Sequence, residues 1–196
     1  MSDPAQGPTP EELAEYAANI GLDAIAKGRY SRWFALTVWL DDRYNGLDFS
    51  LIVHEIRGLE TGAPRTGTKP AAEYKHKPLK GFWHKHYFSA QFLAKNLLNQ
   101  LAGGKLEQIA ADALGTHRSP TITEEMIKDL AHRVTVEQLE QRSADDKLTG
   151  EWIVYAKHNG QNYYLTLATH DTGDQEIYTQ IKVACLPEFP FLVSLL

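Results

Sequence analysis

Asn159-Gly160 stands between two β-rich runs, Glu151–His158 and 161–170, and constrains the fold more than any other pair of residues in the chain. A type I′ turn needs positive φ at both central positions, which Asn and Gly tolerate, and its twist matches that of the strands it joins. A two-residue turn also sets the register. His158 then opposes Gln161, Lys157 opposes Asn162, Ala156 opposes Tyr163 and Tyr155 opposes Tyr164. Further from the turn, Val154 opposes Leu165, Ile153 opposes Thr166 and Trp152 opposes Leu167. One side of this hairpin, with His158 and Gln161 nearest the turn, is mostly apolar. The other carries Lys157, Asn162, Tyr155 and Tyr164, with His170 further along, and is the predicted binding surface. A lone hairpin is marginal in water, so a further strand or a helix must cover it. The segment 82–88 is the candidate third strand.

The rest of the chain reads as helix and loop. Thr9-Pro10-Glu11-Glu12 combines a capping box with proline at the first helical position, predicting a helix that stops near Gly28. Residues 31–42 are apolar enough for either a helix or a strand, and helix is preferred. Phe49, Ile52, Val53 and Ile56 follow the spacing of one helical face over 48–59. Residues 61–80 lack periodicity and form a long basic loop, a length often associated with function. Ala90, Leu93, Ala94, Leu97, Leu98 and Leu101 make a helical stripe ended by Gly103-Gly104. A shorter helix follows at 106–114. The capping box of Thr121 and Glu124 opens another, running to about Ser143, and a last helix covers 174–186. The expected architecture is α+β: predominantly helical, with a small antiparallel sheet built on the C-terminal hairpin 151–170 and a closing C-terminal helix. The expected organisation is a flexible arm at 1–8 and one globular domain at 9–196. Within it, 9–144 is helical, 144–150 is a linker, and 151–196 holds the hairpin and last helix.

Charge is unevenly distributed. The net charge is −5, yet residues 61–106 hold eight Lys or Arg against one acid, Glu73. A belt of this kind predicts a local anionic partner rather than a protein that coats nucleic acid all over. Cys185 is the only cysteine, so neither an internal disulfide nor a cysteine zinc site is expected, which fits a reducing, cytoplasmic setting. No apolar run reaches membrane-spanning length, and the start lacks the pattern of a signal peptide.

Within the belt lies Phe82-Trp83-His84-Lys85-His86-Tyr87-Phe88. If this piece is extended, His84 and His86 share one face, while Trp83, Lys85 and Tyr87 share the other. Two imidazoles on one face are suited to proton transfer near neutrality. In an RNA-cleaving reading, His84 and His86 act as base and acid on a phosphodiester, with His170 as a further imidazole. Lys85, Lys157 or a lysine of the basic loop supplies the cation for the charged phosphorane. Lys75, Lys77 and Lys80 hold the backbone, and Trp83, Tyr87, Tyr155 and Tyr164 stack unpaired bases. In a metal-hydrolase reading, His84 and His86 ligate a divalent ion, with His54 and Glu55, or His170 and Asp171, as the further ligands. In a third, both histidines are partly buried aromatics with no chemistry.

The remaining histidines read as structural or solvated. His117 lies in a turn beside Arg118, His132 on an exposed helix, and His158 beside the hairpin turn. Cys185 reads as a packing residue. No phosphate-binding glycine loop, dinucleotide fingerprint or nucleophile elbow is present, and no cofactor is called for. A helical front, a hairpin bearing Lys, Tyr and His, and a closing helix are similar in layout to small ribonuclease toxins, though no motif residue carries over. The leading expectation is an RNA-acting protein, a metal-independent endoribonuclease of toxin-like or RNA-processing type. The alternatives are a non-catalytic interaction module whose basic 61–106 segment docks an acidic protein, and the metal-dependent hydrolase. RNA or another polyanion is the expected partner, with no membrane.

Overall fold

The structure is a computed structural model that describes residues 7–62, 66–88, 93–115, 123–145, 151–169 and 171–196. The fold is α+β, and the chain divides into two compact units. The first comprises Met1–Thr66, Pro70–Tyr87 and Glu151–Leu196; the second comprises Gly67–Lys69 and Phe88–Gly150. Parts of the predicted arm and linker, together with His117, Arg118, Thr121 and His170, lie outside the described residues. Among the described residues, no helix is long and apolar enough to cross a membrane.

The first unit opens with four helices. In α1 (Pro10–Asn19) the Thr9 side chain accepts from the Glu12 amide and the Glu12 carboxylate accepts from the Thr9 amide, completing the capping box. The short α2 (Leu22–Ala26) follows. The ambiguous 31–42 segment is helix α3 (Arg32–Tyr44), started by Ser31 accepting from the Phe34 amide, with Phe34, Ala35 and Val38 buried. Helix α4 (Phe49–Thr61) buries Ile52, Val53, Glu55 and Ile56 on one face and ends at Gly62 in the left-handed region.

These helices cover one face of a four-stranded antiparallel sheet in the order β1-β2-β3-β4. The strands are β1 (Ala72–Glu73), β2 (Trp83–Tyr87), β3 (Glu151–His158) and β4 (Gln161–Ala168). The predicted third strand is therefore present, pairing with β3 from Trp83↔Tyr155 to Tyr87↔Glu151. Asn159 and Gly160 take φ of 50° and 76° at the hairpin turn, the left-handed geometry that the sequence called for. Beside β4, Arg29 and Ser31 exchange backbone hydrogen bonds with Tyr164, which caps part of the open edge.

The hairpin register agrees with expectation from the turn as far as Tyr155↔Tyr164 and then departs from it. A bulge follows, so Val154 opposes Thr166, Ile153 opposes Leu167 and Trp152 opposes Ala168. Leu165 is the extra residue. One inserted position reverses the facing of everything beyond it: Leu167 joins the core under the helices, and Ala168 joins the core on the other face.

That other face is covered by the C-terminal stretch. Helix α9 (Asp174–Gln180) continues as a π-helical turn (Ile181–Cys185), and a 3-10 turn (Pro190–Ser194) follows. Ile177, Ile181, Cys185 and Leu192 pack on Phe82, Val154, Ala156 and Leu165. Because the sheet is covered on both sides, the hairpin face carrying Tyr155 and Tyr164 is not a solvent surface. It is core.

The second unit, among its described residues, is helical: α5 (Leu93–Leu101), α6 (Lys105–Gly115), α7 (Glu124–His132) and α8 (Gln138–Ala144), with a π-helical turn (Arg133–Glu137) joining the last two. Gly103 and Gly104 have positive φ between α5 and α6. Thr123, rather than Thr121, caps α7 by accepting from the Met126 amide.

Candidate functional site

The pleat of β2 sorts the candidate residues. His84 and His86 point to the face covered by the C-terminal stretch, their ring centroids 5.8 Å apart and nearly perpendicular. Trp152, paired with His86 across β2 and β3, lies against both rings, at 5.4 Å from His84 and 6.2 Å from His86. Tyr74 closes on His84 at 4.7 Å. His86 is 6% exposed and His84 partly exposed. The two imidazoles thus meet on one face, but inside an aromatic cluster. The Tyr74 hydroxyl is buried with no hydrogen-bond partner among the described residues, and burial, with a contribution from Asp174, pushes its ionisation well above the usual phenol range.

The cations assigned to that chemistry are elsewhere. Lys85 lies between the two histidines in sequence and therefore faces the opposite way, into the helical layer. Its Nζ is 3.2 Å from Glu55 Oε2 of α4, with both side chains buried. As a cation for phosphate, Lys85 is corrected to half of a buried ion pair. Lys157 is exposed, but it too belongs to the helix-side face, where its Nζ sits 3.5 Å above the centroid of the Trp83 ring. It does not join the histidine pair.

The expected base platforms need correction as well. Tyr155 and Tyr164 form the predicted cross-strand pair, with centroids 5.9 Å apart, and both are fully buried. The Tyr164 hydroxyl donates to Glu60 at 2.6 Å, and the Tyr155 hydroxyl is buried with no hydrogen-bond partner among the described residues. Tyr87 is buried and its hydroxyl donates to Glu151 at 3.0 Å. Trp83 is partly buried, with Lys157 over its ring. Tyr87, Tyr155 and Tyr164 offer no free ring face for stacking a base, and Lys157 takes one face of Trp83.

The metal alternative does not gain its further ligands from α4, and His170, offered with Asp171 as the other set, lies outside the described residues. His54 is exposed on α4, the helix that packs on the sheet face opposite His84 and His86, so it cannot complete a ligand set with them. Among the described residues, no three His, Cys, Asp or Glu side chains converge closely enough to hold a metal ion.

What the belt does present is the turn between β1 and β2. Lys75, His76, Lys77 and Lys80 are all exposed there. The turn is held by three backbone hydrogen bonds: Tyr74 to Phe82 at 2.9 Å, Gly81 to Tyr74 at 3.4 Å and Phe82 to Leu79 at 3.0 Å. Leu79 and Phe82 are fully buried beneath it. Gly81 has a φ of 95°, and a β-carbon there would sit 3.1 Å from the Leu195 side chain, so the position demands glycine. The Lys77-Pro78 bond is cis.

Among the other candidates, His132 is exposed and pairs with Glu137 at 3.7 Å. His158 is not simply solvated; it stacks on Phe191 at 4.1 Å with planes 9° apart. The Cys185 thiol is buried, donates to the Leu165 carbonyl at 3.3 Å, and is pushed up to about 11 by burial. Sequence reasoning missed the network in which Glu60 accepts from Tyr164, from Asn162 at 3.1 Å and from Arg29 at 2.6 Å. Its members lie far apart in the chain, and no local spacing signals them.

Comparison of the chain with family models, curated proteins and solved structures finds no match in any of the three.

Proposed function

We propose that this protein is a non-catalytic interaction module that docks an acidic protein segment on the cationic turn between β1 and β2. The observation that carries the reading is that Lys75, His76, Lys77 and Lys80 are exposed together on a turn anchored by Leu79 and Phe82. A held turn loses little freedom on binding, so its charge is used efficiently. Within 74–82 the rings beside these lysines are the exposed His76 imidazole, the partly buried Tyr74 and the fully buried Phe82, so no large exposed aromatic platform of the kind that stacks single-stranded RNA bases accompanies the lysines there.

The endoribonuclease reading retains one favourable observation, the shared face of His84 and His86. Its cation would have to come from a loop lysine, since Lys85 and Lys157 belong to the other face of the sheet. One experiment separates the two. The purified protein is incubated with total RNA, with and without EDTA, and in parallel titrated with a glutamate-rich peptide. The docking reading expects intact RNA and saturable peptide binding. RNA degradation that survives EDTA and disappears in His84→Ala/His86→Ala would replace it with the nuclease.

A further inference from the structure

The chain holds two Asn-Gly pairs, Asn45-Gly46 after α3 and Asn159-Gly160 at the hairpin turn, and all four residues are exposed. Glycine has no side chain to shield its amide nitrogen, so that nitrogen can approach the side-chain carbonyl carbon of the asparagine before it. What distinguishes the two pairs is the neighbour of the asparagine side-chain nitrogen. Asn45 Nδ2 donates to Asp41 Oδ1 at 2.8 Å. Asn159 Nδ2 lies 3.1 Å from His158 Nε2. Stacking holds the His158 ring in place, its centroid 4.1 Å from that of Phe191 and the planes 9° apart.

We propose that Asn159 is a self-modifying site, at which the chain deamidates its own hairpin turn with His158 as the general acid. The Gly160 nitrogen bonds to Asn159 Cγ and gives its proton to water. The bond from Cγ to Nδ2 then breaks. Nδ2 takes the proton of the imidazolium Nε2 and leaves as ammonia, and the ring regains a proton from solvent. Water adds to either carbonyl of the cyclic imide and reopens it, giving aspartate or its β-linked isomer. Water is consumed and ammonia released, with no oxidant or cofactor. Ring closure needs rotation only within Asn159, at the exposed tip beyond the last strand pair, His158↔Gln161. An imidazole gives and takes protons near neutrality. The ionised Asp41 carboxylate only accepts, so it holds the Asn45 amide without helping its nitrogen to leave. The β-linked product adds a carbon to the main chain of a two-residue turn whose geometry sets the strand register, so conversion loosens the hairpin tip.

The test is incubation of the full chain in warm neutral buffer over several weeks. Peptide mapping by mass spectrometry follows both asparagines, and an isoaspartyl-specific methyltransferase marks the β-linked product. The expected result is conversion at Asn159 at least about tenfold faster than at Asn45 in the same sample. His158→Phe keeps a ring against Phe191 but has no proton to give. It should slow conversion of Asn159 at least about tenfold and leave Asn45 unchanged. Faster conversion of Asn45 in that variant would mark loss of the fold, and the contrast between the two sites in the wild type then decides alone. Equal rates at the two sites in the wild type would reduce the effect to the general reactivity of exposed Asn-Gly pairs and overturn the proposal. So would an intact Asn159, or a folded His158→Phe that converts Asn159 as fast as the wild type or faster, which would make His158 a clamp on the amide. The hairpin tip shares no residue with the cationic turn, so either reading can fail alone.

Discussion

Lys85 Nζ lies 3.2 Å from Glu55 Oε2, with the two side chains 7% and 3% exposed, joining the middle of β2 to α4 inside the core. Taking both charges out of water costs more than a solvated pair would return, while removing only one takes this paired charge away from the other inside the core. Lys85→Met alone should therefore cost about 3–5 kcal/mol, and the double change Lys85→Met/Glu55→Leu should recover most of that loss. Urea denaturation of the two variants checks this. A double variant as unstable as the single one would show that the pair is not coupled.

The two core tyrosines should respond oppositely to loss of their hydroxyls. Tyr164 donates to the Glu60 carboxylate, a charge-assisted bond, so Tyr164→Phe should cost about 1.5–3 kcal/mol. The Tyr155 hydroxyl is buried with no hydrogen-bond partner among the described residues, so Tyr155→Phe should be neutral or stabilising by about 1 kcal/mol. Denaturation midpoints at constant slope provide the comparison.

Two carboxylates should shape the pH dependence in opposite senses. Glu151 is raised chiefly by burial, then by Asp41 and Asp171, against the Tyr87 bond that lowers it. Its contribution to stability is complete below the unfolded value of about 4.3 and is lost as pH rises through the folded value. Burial alone would raise Glu60 too, but the hydrogen bonds from Arg29, Tyr164 and Asn162 together outweigh it and hold the group low. Its contribution is present above the unfolded value and lost as pH falls through the folded one. Glu151→Gln should thus raise Tm at neutral pH, with the gain vanishing on acidification. Glu60→Gln should lower Tm at neutral pH, with the deficit shrinking on acidification.

Gly81→Ala strains a φ of 95° and brings a methyl to 3.1 Å from Leu195. It should cost about 1 kcal/mol or more and loosen the cationic turn. Hydrogen exchange at the Phe82 amide, bonded to the Leu79 carbonyl, is the readout. Unchanged exchange would mean that the turn does not depend on this contact.

Local rules made the hairpin turn, the α1 cap and β2 legible, because each rests on residues close in sequence. The bulge at Leu165 was not, since nothing in a two-residue turn announces an insertion five residues away. The burial of Tyr155 had a readable signal: Ile153, Val154, Tyr155 and Ala156 are apolar at consecutive positions, the pattern of a strand covered on both faces. Alternation alone predicted which residues share a face, and so brought His84 and His86 together. It could not say which face meets solvent, and that is why Lys85, Tyr87 and Tyr164 changed from ligand contacts to core.

The most direct test of the docking account is fluorescence anisotropy of a glutamate-rich peptide titrated with the wild-type chain and with Lys75→Gln/Lys77→Gln/Lys80→Gln, across an about tenfold range of salt. The account predicts binding by the wild type that weakens steeply as salt rises, and little binding by the triple variant at any salt. Equal affinity of the two proteins, with equal salt dependence, would contradict it.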